Sequence, residues 1–228
     1  MIYRVRSSLL PGLALSACVF FVLTGCDGQF RAVGQAPSRL VILKTLDQAG
    51  DLTGARRLLA ELEKEGKFPD RVREYRKKME ERKPKAEQCV LDMRARIKGR
   101  LFPRSIPRYY YHMGVCQETL GRSREALRSY NQSIHLRPRV SAVFTRRALA
   151  RSGLGDLSGA EQDLLLALAL NKRYFPAMFH LGLLYVRQGR ISLAKRQARN
   201  LSKSRPLYAQ IIRARLAGRG PEQSNIRK

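Results

Sequence analysis

The chain has 228 residues, 44% of them hydrophobic, enough apolar material for a sizeable core and too much for a wholly disordered protein. Lys and Arg number 45 against 18 Asp plus Glu; the formal charge of +27 predicts attraction to something anionic and carries no information about the fold. Trp is absent, and the three His (His112, His135 and His180) are scattered. Residues 1–25 read as a targeting segment. Arg4 and Arg6 supply a short positive region, and an apolar stretch from Leu9 to Leu23 follows, interrupted by Pro11 and Gly12. That stretch falls short of the roughly 20 apolar residues that a membrane span requires.

Where the apolar run ends, Leu23-Thr24-Gly25-Cys26 resembles the lipobox of bacterial lipoproteins. The resemblance implies that Cys26 is lipidated and becomes the first residue of the mature chain. Several acyl chains then hold the protein, each buried CH₂ contributing about 0.8 kcal/mol where a single chain binds only marginally. It also places the protein in the bacterial cell envelope, lipid-anchored and facing the periplasm. Asp27 resembles the residue that favours inner-membrane retention in enteric bacteria, a rule that varies between bacterial groups and leaves inner and outer membrane both open. Cleavage before Cys26 removes Arg4 and Arg6 but no acid, so +25 of the +27 stays with the mature chain. Residues 26–37, Gly-rich and without periodicity, read as the lipidated cysteine and a tether.

Residues 38–103 read as helical. In LVILKTLDQAGDLTGARRLLAELEKEGKFP, Gly50 divides two apolar-periodic stretches, the second carrying Ala55, Leu59 and Leu62. A thin stripe of Val72, Tyr75 and Met79 marks the next helix. Pro84 is expected to separate it from another, Ala86 to Ile97, with Cys89, Val90, Met93 and Ile97 on one face.

Residues 104–217 repeat with a 34-residue period: Gly121, Gly155 and Gly189 are so spaced, as are Ala126, Ala160 and Ala194. Pro138 and Pro206 lie two periods apart. This pattern resembles the tetratricopeptide repeat. The resemblance implies an all-α solenoid of helix-turn-helix repeats with three clear units. Gly50 and Ala55 stand in the same relation as Gly121 and Ala126, so residues 38–103 supply one or two degenerate units. In the middle unit Arg147 and Arg151 replace the usual Leu and Tyr; either their stems pack while their heads reach solvent, or the helix is rotated. After Pro206, LYAQIIRARLAG reads as a helix capping the last repeat's apolar face, and residues 218–228 as a disordered tail.

In the tetratricopeptide family the first helices of successive units line a concave groove that accepts an extended peptide or a partner helix. Carried over, the groove residues are Arg108, Tyr111, His112 and Val115 from the first clear unit. Thr145, Arg146 and Leu149 follow from the second, and Phe179, His180, Leu183 and Arg187 from the third. Aromatic rings beside Arg suit an interface hot spot, and core packing or plain solvent exposure is the competing reading for each position. The Lys and Asn of the family's two-carboxylate clamp are missing.

No GxGxxG, P-loop, HExxH or GxSxG pattern occurs, so neither enzyme activity nor a cofactor is expected. The His are read as surface residues and no metal site is expected. Most acids lie near basic residues at helical spacing, as solvated pairs do. Cys18 leaves with the signal and Cys26 carries lipid. Cys89 and Cys116 remain, on consecutive helices in an oxidising compartment; a disulfide between them is geometrically allowed, and two free buried thiols are the favoured reading.

The expected function is a membrane-anchored, non-enzymatic scaffold that holds a protein partner in its groove. Lipoproteins of this organisation resemble the assembly factors of pili and secretion systems. The alternative is charge-driven binding to an anionic lipid surface or envelope polymer; nucleic acid fits the charge but fits an export signal badly.

Overall fold

The computed structural model describes residues 38–100 and 102–218. The predicted signal segment, Cys26, the tether and the tail beyond Gly218 lie outside them. The described residues form ten α-helices: α1 Arg39–Gln48, α2 Leu52–Lys64, α3 Pro69–Lys98, α4 Ile106–Thr119, α5 Ser123–Leu136, α6 Ser141–Gly153, α7 Leu157–Leu170, α8 Phe175–Arg187, α9 Ile191–Ser202 and α10 Pro206–Ala217. A short 3₁₀ turn, Pro103–Ser105, leads into α4.

The three clear repeats are the pairs α4/α5, α6/α7 and α8/α9. Each pair turns at a glycine held at positive φ: Gly121 at 80°, Gly155 at 94° and Gly189 at 76°. A side chain resists that left-handed backbone, which explains the glycine at every 34th position. Within a repeat the helices approach closely because small residues meet. Ala126, Ala160 and Ala194 are fully buried, and a Cβ on Gly114 would sit 2.5 Å from the Tyr130 ring. Helix α10 closes the array as predicted. It buries Ala209, Ile211 and Ile212 and stacks Tyr208 on Phe179 with ring centroids 4.3 Å apart.

The α1/α2 pair turns at Gly50 with φ 83°, the same device as in the repeats. Its second helix starts as that of the middle repeat does. Asp51 accepts from the Gly54 N–H at 2.7 Å, and Asp156 accepts from Gly159 at 2.8 Å.

Helix α3 corrects one expectation. Its 30 residues run without interruption through Pro84, which was expected to split them. Pro84 lies on the exposed side of the helix, where water can take the backbone carbonyl that proline leaves without a partner. The second half of α3 lies along α4, fixed by a Cys89–Cys116 disulfide with Cα atoms 6.3 Å apart and by Arg122 donating to Glu87 at 3.2 Å. The favoured expectation of two free thiols is therefore overturned: the packing of α3 along α4 brings the two cysteines within bonding distance. The first half carries the α1/α2 hairpin. Arg82 binds Asp47 through two hydrogen bonds of 2.7 and 2.9 Å, and Arg76 donates to Glu63 at 2.6 Å.

Candidate functional site

The 34-residue register places His112, Arg146 and His180 at equivalent positions on α4, α6 and α8, the first helices of the three repeats. They form a row of nitrogen-bearing side chains on these helices. Two members of that row hold the chain's own α1/α2 hairpin. Arg146 Nη1 donates to the Gly50 carbonyl at 2.8 Å, and His180 Nε2 lies 3.2 Å from the Ala49 carbonyl, to which it must donate because a carbonyl only accepts. The Ala49 carbonyl is the cap of α1, where a helix leaves acceptors without internal partners and carries partial negative charge, and the Gly50 carbonyl lies in the turn just beyond it. The hairpin reciprocates: Arg56 of α2 donates to the Glu118 carbonyl at 3.3 Å and to that of Thr119, the last turn of α4. Each side supplies the cationic cap for the other's helix end.

Glu118 stands at the centre of this contact. Its carboxylate accepts from the Tyr130 hydroxyl at 2.8 Å and lies 3.3 Å from Arg146. Burial pushes the carboxyl up to about 7, with the Arg146 guanidinium opposing the rise. Burial also lowers the pKa of His180, so the imidazole is neutral when it donates to Ala49. Tyr111 completes the cluster, its ring 6.1 Å from Tyr130 and 5.3 Å from His112.

The predicted groove residues divide into three sets. Arg146, Leu149, His180, Leu183 and Arg187 face the hairpin; all but Arg146 also line the space between the hairpin and the array. Thr145 and Phe179 are buried, which corrects their assignment to an open groove. The Thr145 hydroxyl bonds back to Ser141 within α6 at 2.9 Å, and Phe179 belongs to the contact with α10. His180 is only 3% exposed, so its reading as a surface residue is corrected too. Arg108, Tyr111 and His112, on the first half of α4, keep solvent access; Arg108 donates to His112 at 3.2 Å. Val115 is half-buried against the Tyr130 cluster.

A second buried centre was not foreseen. Arg147 and Arg151, read as reaching solvent with their heads or as marking a rotated helix, both turn onto Asp163, which is 1% exposed. Arg147 donates to its two oxygens at 2.9 and 2.6 Å, and Arg151 approaches at 3.1 Å. The signal lay in the register: Ser129, Asp163 and Gln197 recur at 34-residue spacing and are all buried. In the first repeat Ser129 bonds Gln117, the residue equivalent to Arg151. An acid opposite two cations was therefore legible as a pair. It also corrects the view of the acids as solvated.

Among the described residues no group of three or more His, Cys, Asp or Glu side chains is placed to hold a metal ion, and no helix is long and apolar enough to cross a membrane.

The sequence pattern of the tetratricopeptide repeat matches residues 107–139. No curated protein sequence matches the chain. Among solved structures, a tetratricopeptide repeat protein from Parabacteroides merdae is similar, with 19% identity and a TM-score of 0.54 over 61% of this chain. The match spans only 56% of that protein's length. A thermophilic tetratricopeptide repeat protein of Thermus thermophilus is similar at 20% identity and a TM-score of 0.50, over 79% of this chain and 96% of its own. The protein MamA matches at 15% identity and a TM-score of 0.50, over 64% of this chain and 96% of its own. At these identities the likeness is one of fold. Together with the glycine register and the paired helices, it gives the described part of this chain the fold of a tetratricopeptide-repeat solenoid, with the repeat's own sequence pattern matched over residues 107–139.

Proposed function

We propose that the protein is a non-enzymatic scaffold, tethered by lipid at Cys26 to the periplasmic face of a bacterial membrane, that holds a protein partner against the first helices of its repeats. The supporting observation is the capture of α1: Arg146 and His180 bind the carbonyls where that helix ends. A surface that recognises helix ends suits a protein ligand. With Arg146 and His180 engaged by the hairpin, the partner docks on the open half of α4, where Arg108, Tyr111 and His112 combine an aromatic ring with donors. Assembly of a pilus or secretion system is the cellular setting that the lipoprotein architecture favours by analogy.

Affinity capture from envelope fractions tests the partner surface. Arg108→Ala with His112→Ala is expected to lose the partners that the unaltered protein retains, and identical capture would refute the surface. Metabolic palmitate labelling tests the anchor separately, with Cys26→Ser expected to abolish both the label and membrane fractionation.

A second reading rests on α3, whose exposed side carries Arg71, Arg73, Lys77, Lys85 and Arg94. Such a helix in a lipid-anchored chain favours an anionic lipid surface or envelope polymer, at about 1 kcal/mol per contacting residue. Binding of that kind collapses between low and moderate salt, whereas docking on Tyr111 persists.

A further inference from the structure

Between the hairpin and helices α6, α8 and α10 lies a cleft of about 460 Å³, within the range of about 300–1,000 Å³ usual for small-molecule sites. Part of its wall is apolar, with Ile42, Leu46 and Leu58 facing Leu149 and Leu183. The rest is polar and mainly cationic, with Arg39 of α1, Arg57 of α2 and Arg215 of α10 lining it beside the Asp51 carboxylate. Arg39 is paired with Glu65. Arg57 and Arg215 make no ion pair and no hydrogen bond among the described residues.

Arg215 is half-buried. Burial holds its guanidinium below the usual range; Glu61 and Asp51 attract it, and Arg39 and Arg57 repel it. The Asp51 carboxylate already caps α2 through the Gly54 N–H. Arg39 and Arg57 are exposed and Arg39 has Glu65, so the half-buried Arg215, which no carboxylate contacts among the described residues, is the guanidinium that lacks the counter-charge burial normally demands. Arg187, at the far wall, is already engaged, donating to the Ser152 carbonyl at 2.7 Å.

We propose that this cleft binds an oxyanion carried on an apolar body, with Arg57 and Arg215 gripping the anion, Arg39 beside them, and the Leu and Ile side chains receiving the apolar part. The planar guanidinium fork matches both phosphate and carboxylate oxygens. Because Arg57 belongs to the hairpin and Arg215 to the capping helix, the bound anion bridges the two and holds the hairpin on the array. By linkage, the ligand stabilises the arrangement in which Arg146 and His180 stay covered. The inference depends neither on the anchor nor on the partner surface of α4.

The test uses the chain from residue 26 onward with Cys26→Ser, at moderate salt so that diffuse charge attraction is screened. The probes are dodecyl phosphate and laurate below their micelle concentrations, with inorganic phosphate as the headgroup alone. Calorimetry is expected to show saturable one-to-one binding of at least one alkyl probe and a rise in Tm with it, and inorganic phosphate binding at least tenfold more weakly. Preference between the alkyl probes identifies a phosphate or a carboxylate source. Arg57→Met and Arg215→Met should each weaken binding at least tenfold. Removing the unpaired charge should leave the unliganded Tm unchanged or raise it by about 2–4 °C. Arg124→Gln with Arg128→Gln, exposed on α5, should change neither. The proposal fails if no probe binds saturably, if inorganic phosphate binds as well as dodecyl phosphate, or if the α5 substitutions cost as much as those in the cleft. A fall of several degrees in the unliganded Tm of Arg215→Met would also overturn it, by showing that Arg215 already has a structural partner.

Discussion

Arg146 donates to the carbonyl of Gly50 across 2.8 Å, although 96 positions of sequence separate the two residues. The same nitrogen lies 3.3 Å from the Glu118 carboxylate, so one guanidinium ties the hairpin to both α4 and α6. Arg146→Met would leave that carboxylate buried without its cation. Such a loss costs about 3–5 kcal/mol, and urea denaturation should show it. Adding Glu118→Gln removes the stranded charge and should recover most of the loss. If the double variant is as unstable as the single one, the hydrogen bond to Gly50 dominates the site and the ion pair does not.

Glu118 should also leave a signature in pH. Its pKa is about 7 in the folded protein against an ordinary 4.5, so between these values the native state holds a proton that the unfolded chain has released. Its contribution to stability is therefore greatest below pH 4.5 and falls as pH rises to 7. His180 acts in the opposite sense. Burial lowers its pKa from 6.5, so its contribution grows as pH rises towards that value. Stability curves of the unaltered protein and of Glu118→Gln should diverge by about 3 kcal/mol across the window from 4.5 to 7, with the variant rising more steeply. Parallel curves would show that Glu118 does not titrate there.

The Cys89–Cys116 bond closes a loop over a separation of 27 residues, and loop-closure entropy assigns it about 3.5 kcal/mol. Reduction, or Cys89→Ser with Cys116→Ser, should lower stability by about that amount. Thiol titration of the unfolded, unreduced chain from residue 26 onward with Cys26→Ser should find no free thiol. Two free thiols would contradict the bond.

The Arg147–Asp163–Arg151 triad makes the middle repeat depend on charges that the other two repeats lack. Asp163→Ala should cost about 3–5 kcal/mol by stranding the two guanidiniums. Replacing all three together, with Arg147→Leu, Arg151→Tyr and Asp163→Ser, restores the residue types of the neighbouring repeats and should match or exceed the original stability. Thermal unfolding of the two variants distinguishes an ionic requirement from simple packing.

The array itself was legible in the sequence because its determinants are local and periodic. A left-handed turn demands glycine at 121, 155 and 189, and close helix contact demands alanine five residues later. Pro84 misled because its effect on a helix depends on whether the carbonyl it frees faces water, which residues 69–98 alone do not reveal. The covering of the groove was hidden for a different reason. Gly50 to Arg146 and Ala49 to His180 are backbone-to-side-chain contacts across 96 and 131 positions, and a carbonyl has no residue identity to recognise. For the groove residues, the register placed them on α4, α6 and α8. It could not say that Phe179 and His180 are both taken up by the core while Tyr111 and His112 both keep solvent access.

The return of α1 and α2 onto the array also alters how the molecule folds. A simple repeat array is held by nearest-neighbour contacts, so its units can form and fray one by one, and its stability is close to a sum over repeats. Here the opening hairpin cannot reach its place until α6 and α8 exist, and the contacts that seat it span most of the described chain. Long loops must close before those contacts reward them, which slows the final step. Once closed, the first and last units share a boundary, and the array opens as a single cooperative body rather than unravelling from one end.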